Sequence, residues 1–345
     1  MRYLACLMIA ACALEAPETS TTSSALRCEM FVCGDNAASA GDGILFDELN
    51  LAGEPNYAGT KLLGASLGGH PMTIDIDRDR LRAIDQWTGI PTTDGGLVGM
   101  IMKLQSSSGE SFEVLIDSFD EGSVRFLAGA NDTIPVYLMK YRRQALGQKK
   151  FDHFVCVNDV IDAAWPSVGH HALVFRGDRY DPVTKRAILN DPNSPWSFLA
   201  CSGSGAGKMH LHRHTVAGAF DAPGTGTPYM TTLDQRTTLL KMITADYCGT
   251  GEHQFTVTGT PLAFTTAAPF SMPAMRPVAS DEAIWGPDGA VCLTFPRRDP
   301  ILVPPGSLVW LRADIENACG HTLPTCDSMM WLWPWFGYGI TANPA

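Results

Sequence analysis

The chain has 345 residues, 45% of them hydrophobic, with 33 Gly, 23 Pro and a formal net charge of −11. That apolar share supports real cores, the Gly and Pro load implies many turns, and the length allows two domains of ~100–200 residues each. Basic residues come together in pairs at most, as at Arg142-Arg143 and Lys149-Lys150, which excludes a nucleic-acid backbone as partner, because neutralising phosphates takes a basic face.

The first segment carries Arg2, an apolar run from Leu4 to Ala10 and the string Ile9-Ala10-Ala11-Cys12. This is the pattern of a bacterial lipoprotein signal peptide, and it implies cleavage before Cys12 with a lipid on its sulfur. Residues 1–12 are therefore expected to be a signal peptide with a lipobox, and the membrane is expected as a partner through Cys12. The location that follows is extracytoplasmic: an outer-membrane or cell-surface lipoprotein, otherwise periplasmic or secreted. An ordinary secretory signal or a buried strand would use the same residues; a spanning helix would need about 20 apolar ones. Residues 13–27 are Thr/Ser-rich and too poor in apolar side chains to fold, so 13–40 reads as a flexible tether.

From 41 to 155 the pattern is mostly period two and predicts a β-rich domain. Met72–Asp77 alternates, and Val98–Leu104 and Phe112–Ile116 flank the turn Ser106–Gly109 as a hairpin. Val124–Leu127 and Pro135–Tyr141 read as further strands. A weak five-residue period over Tyr57, Leu62, Leu67 and Met72 is too brief for a solenoid and reads as extended chain. In the second half, Ala172–Arg176 and Lys185–Leu189 predict strands around a turn. Helices are expected over 198–212 and 232–248. The second opens with the capping box Thr232-Leu233-Asp234-Gln235 and has Gly249 as its stop. Gln254–Thr258, Ala290–Thr294 and Leu308–Arg312 read as short strands, and 331–345 as an aromatic C-terminal tail.

Ten cysteines are present. Setting aside Cys6 and Cys12 leaves Cys28, Cys33, Cys156, Cys201, Cys248, Cys292, Cys319 and Cys326, an even set that suits disulfides in an exported protein. Local pairs Cys28–Cys33 and Cys319–Cys326 would staple loops at either end of the body. A catalytic thiol at Cys201 or Cys248 is the alternative, and no Cys-x2-Cys pair points to zinc.

Several strings resemble chemistry. Ser202-Gly-Ser-Gly-Ala-Gly-Lys208-Met209 fails the phosphate-loop pattern at Ser202 and Met209, and Ser204 fails the nucleophile elbow, leaving close-packing glycines. His210, His212 and His214 share a face on a strand, and His210 with His214 on a helix, so zinc or copper with Asp221 is conceivable; the plainer reading is a polar helix end. No resident cofactor is expected. Asp246 suits either a general acid–base or a structural carboxylate paired with an arginine such as Arg179. Trp331, Trp333 and Trp335, followed by Phe336 and Tyr338, would align for stacking on a glycan or lying at a headgroup layer, or simply cover a sheet.

Ala245-Asp246-Tyr247-Cys248, with Phe198–Cys201 leading to Ala206-Gly-Lys208, Lys241-Met242 and Gly286-Pro-Asp-Gly-Ala-Val-Cys292, resembles the ADYC domain, a family of exported bacterial proteins. The resemblance covers roughly 150–330 and sets an ADYC-like domain at 156–330. In relatives two further cysteines fall where this chain has Met209 and Leu239. The resemblance therefore implies a pair of antiparallel helices joined by Cys201–Cys248, with Met209 against Leu239 and Cys156 left for Cys292. It transfers no catalytic residue. The expected whole is an α+β protein, a β-rich N-terminal half followed by a disulfide-linked helix pair on short strands. Its expected role is a binding or structural module at the cell surface, with a glycan or protein as possible ligand. The alternative is an extracytoplasmic hydrolase, possibly metal-dependent, using Asp246 and His210–His214.

Overall fold

The computed structural model describes residues 45–121, 133–144, 147, 149–156, 170–181, 183–220, 231–252, 255–256, 263–266, 278–297, 310–326 and 339–344. The expected signal peptide and tether, Cys12, Cys28–Cys33, Asp221, Val124–Leu127 and the Trp331–Tyr338 aromatics lie outside the described residues.

Strands come first: β1 (Glu48–Asn50), β2 (Lys61–Leu67), β3 (His70–Asp77), β4 (Arg80–Asp85), β5 (Pro91–Thr93), β6 (Ile101–Gln105), β7 (Ser111–Asp120), β8 (Val136–Arg143) and β9 (His153–Phe154). Next are β10 (His171–Arg176), β11 (Asp178–Tyr180), β12 (Ala187–Asn190), β13 (Trp196–Cys201), α1 (Gly205–Leu211), α2 (Val216–Phe220) and α3 (Leu233–Thr244). The chain closes with β14 (Ala263–Thr266), β15 (Val278–Gly286), β16 (Gly289–Leu293), α4 (Arg312–Cys319) and β17 (Gly339–Pro344). The protein is α+β, with the β-rich N-terminal half that the alternation predicts.

An eleven-stranded antiparallel sheet runs β1-β13-β10-β8-β7-β6-β2-β3-β4-β5, with β9 on β8. It curls until its far strands return to β10: the Arg176 amide donates to Arg78 O at 2.9 Å, and the Arg176 guanidinium reaches Asp75 at 3.0 Å. Alternation sends Met72, Ile74, Ile76, Met102, Leu104, Phe112, Val114 and Ile116 into one core inside the curl. β14, β17, β15 and β16 form a second sheet in that order, so the end of the expected tail is an inner strand. The expected strand Leu308–Arg312 is not one where it is described, since Arg312 opens α4.

β10 and β13 are buried on both faces. In β13, Leu199 and Cys201 enter the first core, while Phe198 and Ala200 enter a second core with Met209, Leu239, Leu240, Tyr247, Trp285 and Ile315. The boundary expected at 155/156 thus falls within one sheet, and β10 and β13 belong to it as fully as β8.

This double burial corrects two expectations. Residues 198–201 are strand rather than the start of a helix; α1 begins only after Ser204, whose Oγ accepts the Gly207 amide at 3.0 Å. Cys201 consequently faces the first core, whereas Cys248 borders the second, so the pair Cys201–Cys248 does not form. Among the described residues the bridges are Cys156–Cys201, Cys248–Cys319 and Cys292–Cys326. They replace the expected Cys156–Cys292 and Cys319–Cys326 as well. Met209 and Leu239 do share one buried cluster.

Candidate functional site

The Ala245–Cys248 string closes α3, whose start is the capping box read from the sequence: Thr232 Oγ1 accepts the Gln235 amide at 3.2 Å and Gln235 Oε1 accepts the Thr232 amide at 2.9 Å. The helix stops earlier than Gly249. Ala245 takes the left-handed conformation (φ 53°), and the Asp246 amide returns to Lys241 O at 3.0 Å. That six-to-one bond satisfies an orphan carbonyl, a job more often given to glycine. Ala245 is fully buried, so its methyl packs where glycine would leave a gap.

Asp246 and Lys241 are both fully buried and paired at 3.0 Å. Asp246 Oδ2 also accepts the Gly251 amide at 2.8 Å, and Lys241 Nζ donates further to Gly249 O at 2.6 Å and Thr184 O at 3.2 Å. The ammonium therefore finds three acceptors, as a buried charge requires. Lys185, whose ammonium donates to Gly251 O, is pushed down to about 8 by burial, with the Lys241 charge adding and Asp246 opposing. Arg179, the partner expected for Asp246, instead pairs with Glu48 and lies 3.6 Å from the Trp196 ring centroid.

Tyr247 binds a second buried pair. Its hydroxyl donates to Glu282 Oε1 at 2.6 Å and accepts the Arg297 amide at 3.0 Å. The Arg297 guanidinium meets Glu282 at 3.2 Å and caps the helix by donating to Met242 O and Ile243 O at 2.6 and 3.1 Å. The Tyr247 ring stacks on Trp285 with centroids 5.0 Å apart. Cys248 then bonds Cys319 at the end of α4.

The Gly286–Cys292 string of the resemblance meets this turn backbone to backbone. A Cβ on Gly249 (φ 72°) would lie 1.9 Å from Asp288 O, and one on Gly289 (φ 107°) 2.6 Å from Tyr247 O. A Cβ on Gly207 would lie 2.2 Å from Cys201 O, which makes Gly207 the close-packing glycine of its segment.

The histidines do not converge. His210, on α1, is stacked on Phe175 (4.7 Å), bonded through Nδ1 to Thr215 Oγ1 at 2.8 Å, and 3.6 Å from Asp79. His212 ends α1, and Arg213 turns the chain through φ 63° before His214. Burial pushes His212 and His214 down to about 3, reinforced by Lys208 for the first and by His212 and Arg236 for the second. Both are neutral. Nearby, Arg236 pairs with Asp178 at 2.5 Å, and Asp178 Oδ2 accepts the Val216 amide at the start of α2. No group of three or more His, Cys, Asp or Glu among the described residues could hold a metal ion. Arg236 and Asp246 stand at opposite ends of α3, about 15 Å apart at 1.5 Å per residue, so the expected hydrolase residues occupy separate places.

The sequence reading missed Lys185, Glu282, Arg297 and the Asp178–Arg236 pair. One signal existed: Glu282 directly precedes the apolar run Ala283–Trp285 of β15, where a charge needs a partner.

These features define an α+β protein, its described strand pairs all antiparallel, in which a signature string knots one helix end to two other segments. The chain belongs to the ADYC domain family, whose model matches residues 94–299. The matched span starts about fifty residues before the region the quoted strings delimit, inside the large sheet. Comparison with curated proteins and with solved structures gave no match.

Proposed function

We propose that this is an extracytoplasmic, lipid-anchored module that binds or supports other components at the cell surface rather than transforming a substrate. The observation that carries the reading is the consumption of the family string by the fold. Asp246, Tyr247 and Cys248 are each engaged by internal partners, and beside them Lys241 pairs with Asp246 and Arg297 with Glu282. Three cystines with sequence separations of 34–71 residues suit an oxidising compartment. No helix among the described residues is long and apolar enough to cross a membrane, so in this reading attachment falls to the Cys12 lipid. Cys12→Ser should move the protein from the membrane to the soluble fraction with export intact. Unchanged membrane association in that variant sinks the anchoring claim.

A further inference from the structure

The turn Gln86–Ile90 and β5 after it hold no ionised side chain, in a chain of net charge −11. The turn presents Trp87 at 68% and Ile90 at 62% exposure. Large apolar side chains left this open are ordinary when scattered singly; here two share one rigid turn.

The rigidity is built in. Asp85 Oδ1 accepts the amides of Trp87 and Thr88 at 2.7 and 3.0 Å, and Asp85 Oδ2 meets His70 Nδ1 at 2.7 Å. The Gly89 amide donates to Asp85 O at 2.8 Å, and the Gln86 amide ties the turn to Pro71 O at 3.0 Å. The His70 ring packs against the indole, centroids 4.5 Å apart. All of these bonds hold the backbone and one side of the indole, while the Trp87 and Ile90 side chains stay in solvent. The backbone and the indole are therefore already ordered before they enter another phase, which is what preorganisation means for binding.

We infer that the Trp87–Ile90 turn is a membrane-contact point, seating its indole and isoleucine in the headgroup layer of the bilayer that the proposed Cys12 anchor occupies. Resting on that anchoring reading, the choice of occupant follows from shape, charge and reach. A convex, uncharged turn carrying one amphipathic ring and one aliphatic side chain suits the interface between headgroups and acyl chains. About 32 residues lie between Cys12 and Leu45, and at ~3.5 Å each they extend to ~110 Å. That exceeds the roughly 25 Å length of β2, at the far end of which the turn lies.

The test uses the Cys12→Ser protein, which lacks the acyl chain, floated with zwitterionic phosphatidylethanolamine–phosphatidylcholine vesicles. Weak partitioning is expected, with a fraction of the protein co-floating at high lipid concentration and dissociating on dilution, so that the same variant still leaves cell membranes on fractionation. Tryptophan quenching by brominated lipid should accompany it, with no gain on adding phosphatidylglycerol, because the protein is acidic. Trp87→Ser with Ile90→Ser should weaken partitioning by at least about tenfold with the melting temperature unchanged, while Trp87→Phe with Ile90→Val retains it. A parent that ignores vesicles overturns the inference, as does a double-serine variant that floats equally well. Since no lipid anchor is present, these outcomes are independent of whether Cys12 is acylated, which cell fractionation decides.

Discussion

Acidification should unfold this protein through His212 and His214. Each imidazole is buried and neutral, held at about 3 against 6.5 for the free group. A depressed histidine pKa means the unfolded chain binds the proton first. The stabilising contribution is therefore complete above 6.5 and is lost as pH falls from 6.5 towards 3. Each unit below 6.5 costs ~1.4 kcal/mol per histidine, or about 5 kcal/mol for the two at pH 4.5. That is comparable with the whole stability of a typical domain, ~5–15 kcal/mol. Asp47 works the other way. Burial raises it to about 7, so its penalty at neutral pH is relieved as pH falls. The parent's slope mixes these signs, but a comparison with His212→Gln/His214→Gln isolates the histidines. Urea unfolding with disulfides intact, at half-unit steps from pH 4.5 to 6.5, should show the parent's stability rising more steeply by about 2.7 kcal/mol per pH unit, the value for two protons. Parallel curves would refute the buried, neutral state of both rings.

Non-reducing peptide mapping should recover Cys156–Cys201, Cys248–Cys319 and Cys292–Cys326; a peptide joining Cys201 to Cys248 contradicts the fold. Replacing both members of the Cys248–Cys319 bridge, which spans 71 residues, should cost about 4 kcal/mol by the chain-entropy relation, read from chemical denaturation midpoints. For the buried ion pair, Asp246→Asn alone should destabilise by ~3–5 kcal/mol because it strands the Lys241 charge, while Asp246→Asn with Lys241→Met should cost less than the sum of the single changes. Additive losses in that double-mutant cycle would show that the two residues do not act as a pair.

Strands with one wet face were legible from alternation: Met72–Asp77 and Phe112–Ile116 sit in β3 and β7 as read. The capping box located α3 because its two bonds are local. β13 was misread because both of its faces are apolar, and a short continuous apolar run does not distinguish strand from helix. With the resemblance, that error supported Cys201–Cys248 and left Cys156 for Cys292, since a helix would have turned Cys201 toward α3 and a strand turns it into the curl; Cys319–Cys326 was read separately, from closeness in sequence. An internal ion pair for Asp246 was one of the two readings open in the sequence, and the partner named for it, Arg179, was not the one found. Lys241 lies only five residues away, but the two meet because Ala245 adopts a left-handed turn that no propensity assigns to alanine. Glu282 and Arg297 reach Tyr247 from 35 and 50 residues away, a separation that only the tertiary fold closes.

The shared wall formed by β10 and β13 has a practical side for anyone shortening the chain. A fragment trimmed to the matched span 94–299 would discard β1 to β5, uncovering the β13 edge and opening the curl that closes against β10. It would also keep Cys248 and Cys292 while removing Cys319 and Cys326. Such a fragment would carry two orphan thiols and bare strand edges, the ingredients of mixed disulfides and edge-to-edge aggregation. The segment that homology delimits is thus smaller than the segment that can be handled, and soluble material calls for boundaries upstream of Leu45 and beyond Pro344.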